Sequence, residues 1–379
     1  MLKVMTIVGT RPELIKLCRV IDELDRNLSH ILVHSGQNFD YELNQIFFDQ
    51  LAIRRPDEFL NAAGGTAVET IAKVLTSGDQ ALARHRPDAV LVLGDTNSCL
   101  IALAAKRRKI PVFHMEAGNR CFDQRVPEEV NRKIVDHVSD VNLTYTEHAR
   151  RYLLAEGLHP DRVIKTGSPM REVISWYRPQ VDASRILEQL QVQPRRYLVV
   201  SAHREENVDV PSRLADLIRS VNALAATYDM PVAFSIHPRT EQRLSAANGL
   251  VLDSRVLALK PLGFLDYIKL QAESFCVVSD SGTITEEAAL LGIPAVTIRQ
   301  AHERPEGMDE GTLIMSDLMP DRVVAAVRLV TDHGWRDGAR FRIPQDYEAE
   351  NVSKKVLRVI VSYVDYVRRT VWFEQQASS

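Results

Sequence analysis

Three acidic side chains, Asp95, Glu116 and Glu128, and the guanidinium of Arg132 stand at or just beyond the ends of consecutive apolar runs. Ala89-Val-Leu-Val-Leu-Gly94 runs into Asp95-Thr96-Asn97-Ser98, and Pro111-Val-Phe-His-Met115 runs into Glu116-Ala117-Gly118-Asn119-Arg120. Buried strand followed by polar loop therefore occurs twice in succession. The carboxyl ends of strands are where α/β enzymes keep their chemistry, so two carboxylates from neighbouring strands are expected to share one crevice. Carboxylates so placed are the groups that take and return protons. A single Asp after a strand more often only caps the next helix. The accumulation of acids and arginines between Gly94 and Arg132 favours chemistry.

Further groups sit at other strand ends. Gly9-Thr10-Arg11-Pro12-Glu13 follows the first apolar run, with Pro12 suited to a first helical turn, so free helix N–H groups and Arg11 can face an anion. Lys16 lies about one helical turn beyond Arg11. In the second half, Ser201-Ala202-His203-Arg204-Glu205-Glu206-Asn207 puts an imidazole, a guanidinium and two acids on one loop. His237 in Ile236-His237-Pro238-Arg239 is similarly placed. Ser279-Asp280-Ser281-Gly282-Thr283 ends another strand and opens a helix carrying Glu286 and Glu287, an arrangement of small residues with free N–H groups that suits a phosphate. A glutamate one turn into such a helix can hold a ribose diol, although acids there also complement the helix dipole. Arg304 adds a cation after the run Ala295–Ile298, and Phe264 and Tyr267 are aromatic residues available to stack on a base. The second half thus reads as a nucleotide-diphosphate pocket. No GxGxxG follows any strand, which argues against a tightly held nicotinamide.

The elements that must position these groups have a βαβ rhythm. Strands are expected near 2–8, 30–35, 89–94, 111–115 and 141–144, with helices near 12–25, 68–84, 98–107 and 127–138. After Gly167 the chain reads as irregular through Pro179. A second βα series then starts at Tyr197 and continues with strands near 231–236, 275–279 and 295–298. A chain of 379 residues exceeds the usual single domain. The expected division is 1–172 with the acids, 173–355 with the nucleotide pocket, and 356–379 as an amphipathic helix returning to the first domain. The fold class is α/β: two Rossmann-like doubly wound domains facing a cleft.

Composition is ordinary for a soluble protein, with 45% hydrophobic and 26% charged residues, and the net charge of −3 provides no global field for nucleic acid or anionic membrane. An anionic ligand must be bound by local arginines. The cysteines, Cys18, Cys99, Cys121 and Cys276, show no CxxC pair and no metal spacing, so buried, reduced thiols and a cytoplasmic setting are expected. The apolar run at the N-terminus is too short for a signal segment or a membrane span and reads as a strand.

Taken together, Gly9-Thr-Arg-Pro-Glu-Leu-Ile-Lys16, Gly94-Asp-Thr96, Glu116-Ala-Gly118, Pro127-Glu-Glu-Val-Asn-Arg132, His203-Arg204, Asp280-Ser-Gly282 and Glu303-Arg-Pro-Glu306 resemble the non-hydrolysing UDP-N-acetylglucosamine 2-epimerase family over nearly the whole chain. The resemblance implies a glycosyltransferase-B type of fold, a UDP-2-acetamido sugar as substrate, a homodimer, and no nicotinamide or obligatory metal. It assigns Asp95, Glu116 and Glu128 to catalysis at the sugar, and His203 to catalysis near the pyrophosphate as an electrostatic or acid–base participant. Arg11, Lys16, Arg132, Arg204, Ser281, Gly282, Glu287 and Arg304 match substrate-binding positions, Glu287 at the ribose and Tyr267 against uracil. Members acting on UDP-N-acetylglucosamine usually read Asp-Ser-Gly-Gly-Ile-Gln-Glu-Glu where this chain has Thr283 and Thr285.

Ser35-Gly-Gln-Asn-Phe-Asp40, Gly94-Asp-Thr-Asn-Ser-Cys99, His114–Gln124, Ser201–Asn207 and Ser279–Thr283 are more similar to one branch, the UDP-N-acetyl-L-fucosamine synthases. That branch inverts C2 of UDP-2-acetamido-2,6-dideoxy-L-talose to make a donor for surface polysaccharide. Some members of the family are activated by substrate at a neighbouring site, where Gln37 and Asn38 are the residues in question. A glycosyltransferase of the same fold would use the same nucleotide pocket, but it would need fewer acids around the sugar.

Overall fold

The alternation of apolar runs and amphipathic stretches resolves into two parallel sheets. The computed structural model describes residues 1–36, 41–236, 238–246, 249–301, 303–338 and 340–374; Gln37, Asn38 and His237 lie outside them. The chain divides into two units, Met1–Ser175 with Gln345–Ser379, and Trp176–Pro344. The first unit therefore resumes at Gln345, ahead of the terminal helix itself.

In the first unit β1 (Lys3–Val8), β2 (Ser29–His34), β3 (Glu58–Phe59), β4 (Ala89–Leu93), β5 (Val112–Ala117), β6 (Val141–Thr144) and β7 (Val163–Lys165) form one sheet in the order β3-β2-β1-β4-β5-β6-β7. Every pairing is parallel. The second unit repeats the plan with β8 (Leu198–Ala202), β9 (Val232–Ile236), β10 (Val256–Leu259), β11 (Cys276–Ser279), β12 (Ala295–Thr297) and β13 (Ile314–Met315), ordered β10-β9-β8-β11-β12-β13. Both orders are those of doubly wound sheets, whose direction of winding reverses beside the first strand. The reversal falls between β1 and β4 and again between β8 and β11. In open α/β sheets ligands bind in the crevice beside such a reversal.

Central strands are covered on both faces, which is why they read as unbroken apolar runs: all of Ala89–Leu93 is buried. The terminal helix Val352–Val371 buries Val356, Ile360, Val364 and Val367 and packs on the helix Arg11–Asn27. Lys355 Nζ donates to the Thr166 carbonyl at 2.9 Å and the Tyr363 hydroxyl to the Asp161 carbonyl at 2.9 Å, so the helix is also tied to residues flanking the edge strand β7.

The structure corrects the sequence reading in places. The stretch expected to be irregular holds the helix Met170–Trp176 and the start of the helix Arg178–Asp182, and a third short helix, Ile186–Gln189, follows before β8. Each is too short for a 3.6-residue period to show, and Pro179 opens the second of them. The helix expected over 98–107 begins as a 3₁₀ turn, Asn97–Leu100, before Ile101–Arg107. The two-residue strands β3 and β13 close one edge of each sheet and carry too little pattern to be read. All four cysteines are free and buried, and among the described residues no helix is long and apolar enough to cross a membrane.

Candidate active site

In the first unit the site is assembled by three adjacent strands. After β1 the chain turns at Gly9 into the helix Arg11–Asn27, whose Glu13 reaches back to accept the N–H groups of Gly9 at 2.5 Å and Thr10 at 3.0 Å. This is half of a capping box, and it satisfies donors that a helix start leaves open. Arg11 stands at that helix start with its guanidinium 5.8 Å from the centre of the Phe47 ring. One turn on, Lys16 is buried and its Nζ meets Glu116 Oε2 at 2.5 Å. Glu116 closes β5 in the left-handed region, φ +62°, beside a register shift against β6. A left-handed non-glycine costs about 1–3 kcal/mol and persists where the surroundings over-determine it, typically at functional sites.

Asp95 follows β4 and the left-handed Gly94. Arg132 grips its Oδ2 through Nη2 and through Nε at 3.1 Å. The remaining edge of the same guanidinium meets Glu129 at 2.7 Å. Asn131 Nδ2 donates to the Asp95 carbonyl at 3.0 Å. Of the two neighbouring glutamates in the helix Pro127–Val138, Glu129 is fully buried on this network and Glu128 is half-buried in the first turn. Lys16 is thus brought to Glu116, and Arg132 to Asp95, where its donors face two carboxylates.

Glu13 is a member of this cluster that the sequence reading missed. Thr96 Oγ1 donates to its second oxygen at 2.5 Å, so one carboxyl ties the β1 turn to the Asp95 loop. Burial pushes Glu13 up from 4.5 to about 7, only partly opposed by the bonds from Thr96, Gly9 and Thr10, and nearby Asp95 raises it further. The folded protein therefore holds this proton more tightly than the unfolded chain. Its contribution to stability is complete below pH 4.5 and is lost as pH rises through about 7. Glu13→Gln keeps the shape, with its carbonyl toward Gly9 and Thr10 and its amide toward Thr96, but does not titrate. Urea unfolding from about pH 5 to 8 is expected to show wild type losing up to about 3 kcal/mol that the variant does not lose. Parallel curves for the two proteins would rule this out.

In the second unit the buried Asp280, after β11, accepts the backbone N–H of His203 at 3.1 Å, that of Arg204 at 3.0 Å, and Asn207 Nδ2 at 3.0 Å. His203 Nδ1 lies 3.2 Å from the same carboxylate, leaving the rest of the exposed ring for a ligand. Burial pushes Asp280 up, but His203, Asn207 and the Arg204 N–H outweigh it and hold the group at about 2. The acid is a permanent anion bracing the His203 loop.

Ser281 and Gly282 lead into the helix Ile284–Leu291. Arg304 Nε donates to the Gly282 carbonyl at 2.8 Å, and its Nη2 is 3.3 Å from Glu286. Arg204, Arg299 and Glu303 converge on the same glycine: a Cβ there would lie 3.9, 3.5 and 3.7 Å from them. Arg299 is buried, pairs with Glu303 at 2.9 Å, and was not singled out from the sequence. Glu287 accepts Gln271 Nε2 at 2.9 Å. The Tyr267 hydroxyl donates to Ser201 at 3.0 Å, and burial pushes that phenol up to about 12. The cations around Ser281–Gly282 make this loop the anion-cradle candidate of the second unit. The Ser281 N–H donates to Ser279 Oγ at 3.0 Å and the Thr283 N–H to Ser281 Oγ at 3.3 Å, and a carboxylate stands one turn into the helix behind them.

Two doubly wound units, one with acids at its strand ends and one with an anion cradle, define the class of nucleotide-sugar enzymes with a glycosyltransferase-B type of fold. The UDP-N-acetylglucosamine 2-epimerase family model matches residues 22–361. The chain belongs to that family and is an isomerase. It is similar to a UDP-N-acetylglucosamine 2-epimerase from Rickettsia bellii of known structure, with 54% identity and a TM-score of 0.93, covering 99% of this chain and 100% of that one. The Methanocaldococcus jannaschii UDP-GlcNAc 2-epimerase, solved in complex with UDP-GlcNAc and UDP, is 30% identical with a TM-score of 0.88, over 95% of this chain and 100% of that one. A UDP-2,3-diacetamido-2,3-dideoxy-D-glucuronate 2-epimerase of Pseudomonas aeruginosa is 34% identical over 332 residues, 86% of this chain and 92% of that protein.

Proposed function

We propose that the chain epimerises C2 of a UDP-2-acetamido sugar by eliminating and re-adding UDP, without net hydrolysis. The observation that carries this reading is the pairing of Lys16 with Glu116 and of Arg132 with Asp95 at adjacent strand ends. C2 of such a sugar has no carbonyl beside it, so its proton leaves only if the electrons have an exit. A carboxylate takes the C2 proton, the C2–H electrons form the C1–C2 double bond, and the C1–O bond breaks with its pair going to UDP. The 2-acetamidoglycal so formed accepts UDP oxygen at C1 and a proton at C2 on the opposite face. Asp95, Glu116 and Glu128 act at the sugar in this reading. Arg11, His203, Arg204, Arg304, Ser281 and Gly282 stabilise the charge growing on the leaving pyrophosphate, each such donor being worth ~10²–10³ in rate. Tyr267 stacks on uracil, Glu287 binds ribose, and the working assembly is a homodimer.

The sugar we propose is UDP-2-acetamido-2,6-dideoxy-L-talose, converted to UDP-N-acetyl-L-fucosamine for surface polysaccharide. Its support is the run Gly118-Asn-Arg-Cys-Phe-Asp-Gln-Arg125 between Glu116 and Glu128, together with Thr283 before and Thr285 within the helix Ile284–Leu291. A second reading, interconversion of UDP-N-acetylglucosamine and UDP-N-acetylmannosamine, is favoured by the 54% identity to the Rickettsia bellii protein. Proton NMR in D₂O with each donor in turn separates them. Deuterium entering C2 with an intact UDP epimer is the expected result and names the sugar. Free UDP and free sugar would mean a hydrolase, and no exchange with either donor would return the chain to the transferase reading.

A further inference from the structure

Behind the loops that carry Asp95 and Glu116 runs a line of buried charged groups that the proton transfers do not use. His114 and Asp136 are fully buried and Arg120 is nearly so. His114 Nε2 lies 2.7 Å from the Gly94 carbonyl, which only accepts, so that nitrogen carries a proton. Its Nδ1 lies 2.9 Å from the Asp136 carboxylate. Asp136 also accepts the Gly118 N–H at 3.2 Å and Arg120 Nη1 at 2.7 Å. Arg120 Nη1 further donates to the Asn119 carbonyl at 2.8 Å, and the other edge of this guanidinium is held by Glu156. Gly94 immediately precedes Asp95, and Gly118 to Arg120 immediately follow the Glu116 bend.

Two physical points make this arrangement more than packing. Ion pairs this deep return little net stability, because the desolvation of both partners offsets their attraction. The Glu116 bend is left-handed and needs an external hold. Gly118, at φ +82°, has no slack to supply it, since a Cβ there would come within 2.4 Å of the Ala149 carbonyl. We infer that Asp136, acting with His114 and Arg120, is a positioning unit that keeps the Asp95 and Glu116 carboxylates in register with each other for proton transfer at one carbon. The inference rests on the epimerase reading above and adds residues to it that do not touch the substrate.

The test uses Asp136→Asn, His114→Gln and the double variant in the full-length enzyme, with C2–H exchange in D₂O, KM and UDP affinity measured for each. Exchange is expected to fall ~10²-fold in each single variant, the cost of a small misplacement of reacting groups. KM and UDP affinity stay within about twofold, and the double variant is about as slow as the slower single, as residues acting as one unit behave. Folded single variants that exchange at the wild-type rate, or that lose UDP binding in step with turnover, overturn the proposal. If Asp136→Asn does not fold, His114→Gln decides by the same criteria, and failure of both to fold makes the network a scaffold and overturns it too. The wild-type arm tests the epimerase reading separately. Should that arm show no exchange, a crystal structure of Asp136→Asn still decides: Glu116 remaining left-handed there refutes the positioning role.

Discussion

Glu116→Gln is expected to lower turnover by ~10³-fold while UDP still binds, the size of effect that follows removal of a proton-transferring side chain. The amide has nearly the same shape as the carboxyl, so Lys16 Nζ, 2.5 Å from Glu116 Oε2 in the wild type, still finds an oxygen to donate to. The backbone conformation at this position is unchanged by the substitution, and so is the left-handed penalty the fold already bears. What disappears is the capacity to hold a proton and the charge opposite a buried lysine. UDP contacts proposed for Ser281, Gly282 and Arg304 belong to the other unit and are untouched. Calorimetric titration of UDP beside a D₂O exchange assay reads both halves of the expectation. Activity within about tenfold of wild type would remove Glu116 from the proton transfer, because general acid–base groups contribute ~10²–10⁴.

The framework of the site was legible in the sequence because each chemical group follows an unbroken apolar run. Asp95 after Ala89–Leu93, Glu116 at the end of β5 and Asp280 after β11 are announced by strands buried on both faces. Rotation about a helix axis was less legible. Glu128 and Glu129 are adjacent and chemically identical, and only the packing of the helix Pro127–Val138 turns Glu129 into the Arg132 network. Pairing across sequence distance was not legible at all. Nothing in the types of His114 and Asp136 announces that their side chains meet at 2.9 Å, or that Arg120 joins them.

Glu13 was passed over for a related reason. Its position suits a helix cap, and a cap it is, but the bond from Thr96 that makes it part of the Asp95 loop crosses from β4 to β1. Asp280 shows the opposite limit. The small-residue loop around it suggests a cradle, yet its own carboxylate is consumed by the His203 loop, where it accepts the N–H groups of His203 and Arg204. Where local pattern is the signal, sequence suffices; where one side chain braces another element, only the fold reveals the partner.

Arg132→Met should be the most destabilising of the substitutions considered, by ~3–5 kcal/mol, because breaking a buried ion pair strands the partner charge. The arginine is 1% exposed and serves two carboxylates at once. Those partners are unequal: the Asp95 side chain retains 24% of its exposure and can hydrate, whereas Glu129 has none. Most of the cost therefore resides at Glu129. Arg132→Lys does not repair it, since a point ammonium cannot span both acids as the planar fork does. Replacing Glu129 by Gln in the Arg132→Met background removes the stranded charge and should recover most of the stability, as neutral replacements of buried pairs commonly do. Activity should not return with it, because Asp95 still lacks the two donors that orient it. Urea denaturation and turnover measured on the three variants separate these effects. Full activity in the restabilised double variant would show that Arg132 serves the fold alone and that Asp95 needs no anchor.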